Sequence, residues 1–205
     1  PAAERYHLMP AVDRWVVRKT LSMLSEFDEN SIRRGIYAIN LSGQSFNQKD
    51  FLDFIHKEIE NSGVPAECIC FEITETAAVA NLAKAVLFMK SLGGIGCSFS
   101  LDDFGSGISS FGYLKSLPVD YLKIDGSIVK DIVTDKVSAA MVAAINQVGH
   151  TMNLRTIAEF VENDAIKSCL TEIGVDFVQG YGIGKPEPFS GRLREQMTSP
   201  SKVAS

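Results

Sequence analysis

The chain has 205 residues, of which 45% are hydrophobic and 22% charged, and its formal net charge is −5. This composition is typical of one soluble globular domain with enough apolar residues for a core. It predicts no membrane span within this chain, because no apolar run approaches the roughly 20 residues that such a span needs; a cytoplasmic part of a larger membrane-tethered protein remains an alternative. The acidic balance argues against a polymeric nucleic acid as partner. Four cysteines without metal-site spacing and the lack of a signal-peptide pattern predict a cytoplasmic domain with reduced thiols.

Short runs rich in β-branched and aromatic residues alternate with longer segments of helical periodicity along the chain. The short runs lack regular polar alternation, which predicts strands buried on both faces of a parallel sheet. In chain order, the predicted strands cover 35–40, 68–73, 97–103, 120–125, 155–159 and 175–180. The predicted helices cover about 10–26, 50–61, 83–92, 136–150 and 163–174.

The strand starts lie about 28 residues apart on average, a spacing typical of α/β crossover units. A TIM-like (β/α)8 barrel has eight such units in about 250 residues. We therefore predict an α/β fold in which six β-α units of a TIM-like barrel are present. The first two strands are expected to be missing, upstream of Pro1, because six strands cannot close a barrel without leaving two open edges.

Polar residues end each predicted strand, and most of them are carboxylates or amides. Parallel α/β proteins build their active sites at the carboxyl ends of the strands, so we expect these side chains to form one ring. Such clustering of like charge is costly unless cations neutralise it, and oxygen ligands favour Mg²⁺, Mn²⁺ or Ca²⁺ over zinc. The residues of this ring are Asn40, Glu72, Asp102, Asp103, Lys123, Asp125, Glu159 and Gln179.

The adjacent residues Asp102 and Asp103 indicate a site for two metal ions. One carboxylate could bridge both ions while the other holds the second, which is the arrangement that promotes in-line attack on a phosphodiester. Lys123 would hold the attacking water or the developing phosphoryl charge. A salt bridge from Lys123 to Asp125 is the alternative interpretation.

Other polar residues lie just beyond the strand ends. The sequence FGSG at 104–107 predicts a mobile loop beside the aspartate pair. Glu75 lies too far along the chain to share its strand end, so we expect it to brace a neighbouring loop through backbone N–H groups. Ser42 and Ser45 are interpreted mainly as loop and cap residues.

Taken together, these motifs resemble the EAL domains, a family that hydrolyses the bacterial messenger cyclic di-GMP. The matches occur in the order of the family and span residues 1 to about 188, which we predict to form one phosphodiesterase domain. The remaining residues, 189–205, are a polar tail to which we assign no function. The matching segments are INLS (39–42), FEITET (71–76), LDDFGSG (101–107), LKIDGS (122–127), AEFVEN (158–163) and QGYGIGKP (179–186).

The resemblance implies a modified TIM barrel with one antiparallel strand, two Mg²⁺ or Mn²⁺ ions, and hydrolysis of cyclic di-GMP to linear pGpG. It assigns Lys123 to orienting the nucleophilic water and makes Glu159 the candidate general base. It also implies a homodimer, fused upstream to a sensory or diguanylate-cyclase-like domain. The implied residues are Asn40, Glu72, Asp102 and Asp103 as metal ligands, Lys123, Glu159 and Asp125 in catalysis, Glu162, Gln179 and Gly180 in substrate binding, and Glu75 in support of the DDFGSG loop.

The chain departs from the family pattern at a few positions. The Glu-Ala-Leu tripeptide that names the family, and that supplies a glutamate to the first ion, is absent from the sequence. We therefore expect the polypeptide that begins at Pro1 to be poorly active. Phe160 stands where the family commonly has glycine, and Ser106 where it commonly has threonine.

Two alternatives to an active enzyme remain. The first is a catalytically silent receptor that binds cyclic di-GMP and signals to a neighbouring domain. Such receptors usually lose carboxylates from the ring, and the carboxylates expected within this chain are present. The second alternative is a barrel used only for dimerisation, which would need no such ring.

Overall fold

The computed structural model describes residues 5–6, 8–46, 48, 50–107 and 111–188; the predicted tail at 189–205 lies outside this part. Within it, six strands form one parallel sheet whose spatial order is the chain order. The strands are β1 (Tyr37–Leu41), β2 (Ile69–Thr74), β3 (Ser98–Phe104), β4 (Tyr121–Ile124), β5 (Arg155–Ala158) and β6 (Phe177–Val178). The helices are α1 (Met9–Leu24), α2 (Glu29–Ile32), α3 (Phe51–Ser62), α4 (Glu75–Ala80), α5 (Leu82–Gly93), α6 (Phe111–Leu114), α7 (Gly126–Val129), α8 (Lys136–Thr151) and α9 (Asp164–Ile173).

The longer helices follow the predicted apolar spacing and stop signals. In α3, Phe51, Ile55 and Ile59 are buried at intervals of four residues, so one face packs inward. The helix ends at Gly63, whose φ of 67° is left-handed, a conformation that glycine adopts without a steric penalty. The helix α9 begins after Asn163, whose side chain accepts a hydrogen bond from the backbone N–H of Ile166.

The two faces of the sheet have different surroundings. On the outer face, Phe71 and Phe99 contact each other, and Phe99 also contacts Phe88 of α5. The opposite face lines a cavity of about 560 Å³ that contains residues from all six strands, including Ala38, Cys70, Ser100, Tyr121, Ile157 and Phe177. Because every strand contributes to one cavity, the sheet is curled like part of a barrel wall.

A polar network stabilises the rim of the sheet where β5 and β6 begin. The backbone N–H and the hydroxyl of Thr156 both donate to Oδ2 of Asp176, at 2.7 and 3.1 Å. The same hydroxyl lies 2.5 Å from Oδ1 of Asn146 in α8. Nε2 of His150 lies 2.9 Å from Oδ2 of Asp176. These contacts join two strands to the helix that precedes them.

The structure differs from the sequence predictions mainly in short elements. The helices α2, α4, α6 and α7 were not predicted, because four to six residues show no readable periodicity. Their caps are local: Thr74 accepts from the backbone N–H of Ala77 at the start of α4. The strand β6 is shorter than its predicted 175–180, and the described strands are all parallel. None of the described helices combines the length and the apolar character needed to cross a bilayer.

Candidate active site

Five of the predicted ring residues lie in register with the face of the sheet that lines the cavity, and Glu72 and Gln179 line that cavity themselves. Successive side chains of a strand point to opposite faces, so residues two apart share a face. Each of these five residues lies two positions after a residue that lines the cavity: Asn40 after Ala38, Glu72 after Cys70, Asp102 after Ser100, Lys123 after Tyr121, and Glu159 after Ile157. Asn40 and Glu72 are direct register partners on β1 and β2. The parallel register therefore gathers these polar side chains at one rim of the sheet.

Lys123 is the centre of this ring. Its Nζ atom lies 3.2 Å from Oε2 of Glu72, 2.9 Å from Oδ1 of Asp102 and 2.8 Å from Oε1 of Glu159. The side chain is only 2% exposed, so these ion pairs are shielded from solvent. Asp125, the alternative partner considered from the sequence, instead caps α7 by accepting from the backbone N–H of Ser127 at 2.8 Å.

Burial and like charges shift the pKa values of the ring. Burial raises the pKa of Glu72 and of Glu159, although Lys123 opposes the shift in both. Burial also raises the pKa of Asp103, and the neighbouring carboxylates Asp102 and Asp125 add to this effect. For Lys123, burial alone would lower the pKa, but Glu72 and the other carboxylates outweigh it and the pKa rises. The lysine therefore stays protonated, and the three carboxylates around it share its positive charge.

Three of the carboxylates can hold a metal ion. Asp102, Asp103 and Glu159 each offer an oxygen atom, and these atoms lie within 4.8 Å of one another. One divalent cation with metal–oxygen distances of about 2.0–2.6 Å could contact all three. Asp103 has a φ of 58° and lies where the register of β3 with β4 shifts between Leu101 and Phe104. The donor set, carboxylate and amide oxygens, fits hard cations.

Glu75 lies behind the ring and contacts the loop after β3. Its Oε2 accepts from the backbone N–H of Gly105 at 3.3 Å. Its Oε1 accepts from the hydroxyl of Tyr113 in α6. One buried carboxylate thus joins the two sides of the loop that follows Asp103. The sequence offered no signal for Tyr113, because its partner lies 38 residues earlier in the chain.

Asp13 is a second supporting residue that the sequence analysis missed. It lies on α1 and is 3% exposed. Its Oδ2 accepts from the backbone N–H of Ser42 at 2.8 Å, from the Ser42 hydroxyl at 2.7 Å and from the Ser45 hydroxyl at 2.5 Å. This carboxylate orders the turn that begins two residues after Asn40. The two serines therefore donate to a buried carboxyl group. This contact was not part of their interpretation as loop and cap residues.

A smaller cavity adjoins the ring at Glu159. It measures about 260 Å³ and also contains Glu162, Gln179 and Gly180, the residues assigned to substrate binding, together with Phe160 and Tyr181. Position 180 requires glycine because the chain is closely packed there: a Cβ atom would lie 2.3 Å from the backbone nitrogen of Val161. Glu159 faces both this cavity and Lys123, so the cavity is continuous with the ring.

Comparison with known proteins identifies relatives of this chain. Among curated proteins, the chain is 43% identical over 189 residues to "Cyclic di-GMP phosphodiesterase PdeB" of Shewanella oneidensis, covering 92% of this chain and 22% of the relative. It is 34% identical to "Cyclic di-GMP phosphodiesterase PdeF" of Escherichia coli, covering 95% of this chain and 26% of the relative. The chain thus spans about a quarter of the length of these relatives.

Among solved structures, one titled "PaMucR Phosphodiesterase, c-di-GMP complex" superposes with a TM-score of 0.87 at 30% identity, covering 94% of this chain and 78% of that one. This match confirms the TIM-like fold class predicted from the sequence. The sequence model of the EAL domain matches residues 1–186, nearly the whole chain. The chain therefore belongs to the EAL domain family.

Proposed function

We propose that this domain hydrolyses cyclic di-GMP to linear pGpG with the help of two Mg²⁺ or Mn²⁺ ions. The observation that carries the proposal is the buried Lys123, which pairs with Glu72, Asp102 and Glu159 at strand ends. Two of these, Asp102 and Glu159, form with Asp103 a cluster that can hold a divalent cation. The names of the relatives support it, since PdeB and PdeF are both named cyclic di-GMP phosphodiesterases.

The metal ions would be held by the residues of the ring. Asn40, Glu72 and Asp102 would hold the first ion, and Asp102 and Asp103 would hold the second. Glu159, the third carboxylate of the cluster, is kept as the proton acceptor in this proposal. A divalent cation bound here supplies positive charge that acidifies a coordinated water and stabilises the phosphate oxygens.

The protein's own groups would position and deprotonate the water. Lys123 donates a hydrogen bond to the nucleophilic water and presents its charge to the phosphoryl oxygens. Glu159 accepts the proton, because its Oε1 lies 2.8 Å from Lys123 Nζ and so within reach of a water bound by the lysine. Burial raises the pKa of Glu159 towards neutral pH, which suits a general base. Asp125 supports this arrangement from the start of α7.

Substrate and protein partners are part of the same proposal. Glu162, Gln179 and Gly180 would contact the nucleotide in the adjoining cavity, and Glu75 would hold the loop after Asp103. Residues 1–188 would act as one phosphodiesterase domain in the cytoplasm, where four free cysteines remain reduced. The domain would function as a homodimer behind an upstream sensory or diguanylate-cyclase-like domain. The name of one relative, "Bifunctional diguanylate cyclase/cyclic di-GMP phosphodiesterase MucR" of Pseudomonas aeruginosa, supports the combination of the two activities in one protein.

Hydrolysis by the full-length protein tests the proposal. We expect Mg²⁺- or Mn²⁺-dependent conversion of cyclic di-GMP to pGpG, measured by chromatography and abolished by EDTA. Lys123→Met should lose turnover, whereas the matched variant of an exposed lysine, Lys130→Met, should retain it. Binding of cyclic di-GMP without turnover would indicate the receptor instead, and the absence of both binding and turnover would reject the proposal.

A further inference from the structure

Tyr113 connects the short helix α6 to the first residue of α4. Its hydroxyl donates a hydrogen bond to Oε1 of Glu75, a residue that is only 8% exposed. A hydrogen bond to a carboxylate is stronger than one between neutral groups, and burial protects it from competition by water. The hydroxyl of Tyr113 therefore helps to fix the direction in which the carboxylate of Glu75 points.

The helix α6 gives this contact a packed support. Leu114, the residue that follows the tyrosine, is fully buried. The ring of Phe111, at the start of the helix, has its centroid 5.5 Å from that of Phe104 at the end of β3. Tyr113 itself packs against the hydrophobic core. The position of the tyrosine is therefore set by packing, so that its hydroxyl can hold the carboxylate of Glu75 in place.

The other oxygen of Glu75 holds the backbone just after Asp103. Its Oε2 accepts from the N–H of Gly105 at 3.3 Å. Gly105 has a φ of 97°, and a Cβ atom there would lie 2.7 Å from Cδ1 of Ile128. The carbonyl of Asp103 accepts from the N–H of Ser106 at 3.3 Å. The turn from Asp103 to Ser106 is therefore fixed both by close packing and by the carboxylate of Glu75.

The position of this turn matters because Asp103 belongs to the carboxylate cluster. Its φ of 58° lies in the left-handed region, which costs energy in a residue with a Cβ atom and persists where the surrounding structure holds it. Its carboxylate offers an oxygen within 4.8 Å of oxygens of Asp102 and Glu159. A hydrogen bond to the backbone two residues later therefore limits how far the Asp103 carboxylate can move away from the cluster.

We propose that Tyr113 is a positioning residue for the metal site: by orienting Glu75, it keeps Asp103 where a divalent cation can bind. This inference rests on the proposed function and adds to it a residue that acts through Glu75. Groups that orient the ligands of a metal ion, without touching the ion, typically contribute about 10- to 100-fold to metal affinity or activity. The chain of contacts runs from the Tyr113 hydroxyl through the Glu75 carboxylate to the N–H of Gly105.

A purely structural role makes a different prediction. If the hydroxyl of Tyr113 only joined α6 to α4, its removal would lower Tm and leave metal affinity unchanged. Positioning predicts a weaker metal site with little change in Tm, because Tyr113→Phe keeps the aromatic ring that packs against the core. The two roles are therefore separated by measuring metal affinity and Tm on the same variant.

Hydrogen exchange in the metal-free, full-length protein tests the contact between Glu75 and the turn. In Tyr113→Phe, peptides that contain Gly105 should exchange faster than in the unmodified protein, because Glu75 is no longer held towards the Gly105 N–H. Tyr37→Phe removes a hydroxyl from another half-buried tyrosine, at the start of β1, and should leave this exchange unaltered. Unchanged exchange in Tyr113→Phe would overturn the proposal.

Binding of Mn²⁺ to the same proteins, followed by the EPR signal of the free ion, tests the effect on the metal site without turnover. Tyr113→Phe should bind at least one ion about 10- to 100-fold more weakly. Its KM for cyclic di-GMP, and its kcat at saturating Mn²⁺, should stay close to those of the unmodified protein. Adding Tyr113→Phe to Glu75→Ala should weaken Mn²⁺ binding no further, because the tyrosine acts through the glutamate.

The outcomes separate this inference from the proposed function. Unaltered Mn²⁺ affinity in Tyr113→Phe, or a further loss of affinity when it is added to Glu75→Ala, would overturn the positioning role while normal turnover leaves the proposed function intact. Weaker Mn²⁺ binding in Tyr113→Phe, together with an unmodified protein that binds Mn²⁺ and does not hydrolyse cyclic di-GMP, would reject the hydrolysis and retain the role of Tyr113. Failure of the unmodified protein to bind Mn²⁺ would overturn both.

Discussion

Replacing Asp13 by alanine tests how the buried carboxylate on α1 supports the turn after Asn40. In the folded protein, Oδ2 of Asp13 accepts hydrogen bonds from two groups of Ser42 and from the hydroxyl of Ser45. Ser45 is fully buried, so water cannot replace the lost acceptor without disturbing the packing. We therefore expect the substitution to destabilise the protein and to loosen the turn.

The size of the effect follows from the donors that lose their partner. A buried donor without an acceptor costs about 1–3 kcal/mol, and the backbone N–H of Ser42 and the Ser45 hydroxyl are both affected. We expect a loss of about 3 kcal/mol in the free energy of unfolding. In a domain of this size, that corresponds to a decrease in Tm of roughly 6–12 °C. Asp13→Asn keeps one acceptor oxygen and should lose about 1 kcal/mol.

Urea denaturation with and without Mg²⁺ measures both consequences. The midpoint should fall while the m-value stays constant, which shows that stability has changed and not the surface exposed on unfolding. Glu60→Ala, a change of an exposed carboxylate on α3, is the matched control and should stay within about 0.5 kcal/mol. Asp13→Ala should also weaken the stabilisation by Mg²⁺, because the turn follows Asn40.

A double variant can refute the reasoning. In the double variant Asp13→Ala with Ser45→Ala, the second change removes the Ser45 hydroxyl, which the first change has already deprived of the Asp13 carboxylate as its acceptor. The combined loss should therefore be smaller than the sum of the two single losses, by about 1 kcal/mol or more. Strict additivity, or a stable Asp13→Ala protein, would show that these hydrogen bonds do not stabilise the turn.

Further predictions concern the ring itself. Lys123→Met should lower kcat at least about 100-fold and, in EDTA, destabilise the protein by about 3–5 kcal/mol, because buried carboxylates lose their cation. Gly180→Ala should lower Tm and kcat, since its Cβ would lie 2.3 Å from the nitrogen of Val161; we expect a cost of about 2 kcal/mol. Because burial raises the pKa of Glu72 and Glu159 above the ordinary 4.5, the rise in Tm on adding Mg²⁺ should grow with pH above that value.

Each of these expectations has a contrary outcome. Full turnover in Lys123→Met would remove the lysine from the mechanism, and an unaltered Tm in Gly180→Ala would contradict the close packing. For the two glutamates, the folded state holds a proton more tightly than the unfolded chain. Without metal, their contribution to stability should therefore fall as pH rises above 4.5. A Mg²⁺-induced rise in Tm that stays constant between about pH 5 and pH 8 would contradict the raised pKa values.

The ring could be predicted from the sequence because its signals are local. Asn40, Glu72 and Asp102 each follow a short apolar run, and the parallel arrangement of such runs brings their ends together. The central strands β2, β3 and β4 are buried on both faces, as predicted, whereas β1, β5 and β6 have exposed positions. One face lines a cavity, and small or polar residues such as Ser100 and Cys70 occur there among larger apolar ones.

The contacts that depend on distant residues could not be predicted. Asp13 lies 29 and 32 residues from its two serine partners, and no periodic pattern connects them. Lys123 pairs with Glu72, which lies 51 residues earlier in the chain, whereas the sequence pointed to Asp125 only because it is near. Burial makes such long-range pairs strong, and burial is a property of the folded chain.

The network of Thr156, Asp176 and Asn146 stands at the rim opposite the ring of carboxylates. The join between β5, β6 and α8 is thus made where the strands begin, away from the proposed site at their carboxyl ends. The three contacts of this join do not use the side chains of the carboxylate ring, so a substitution in the ring leaves them in place.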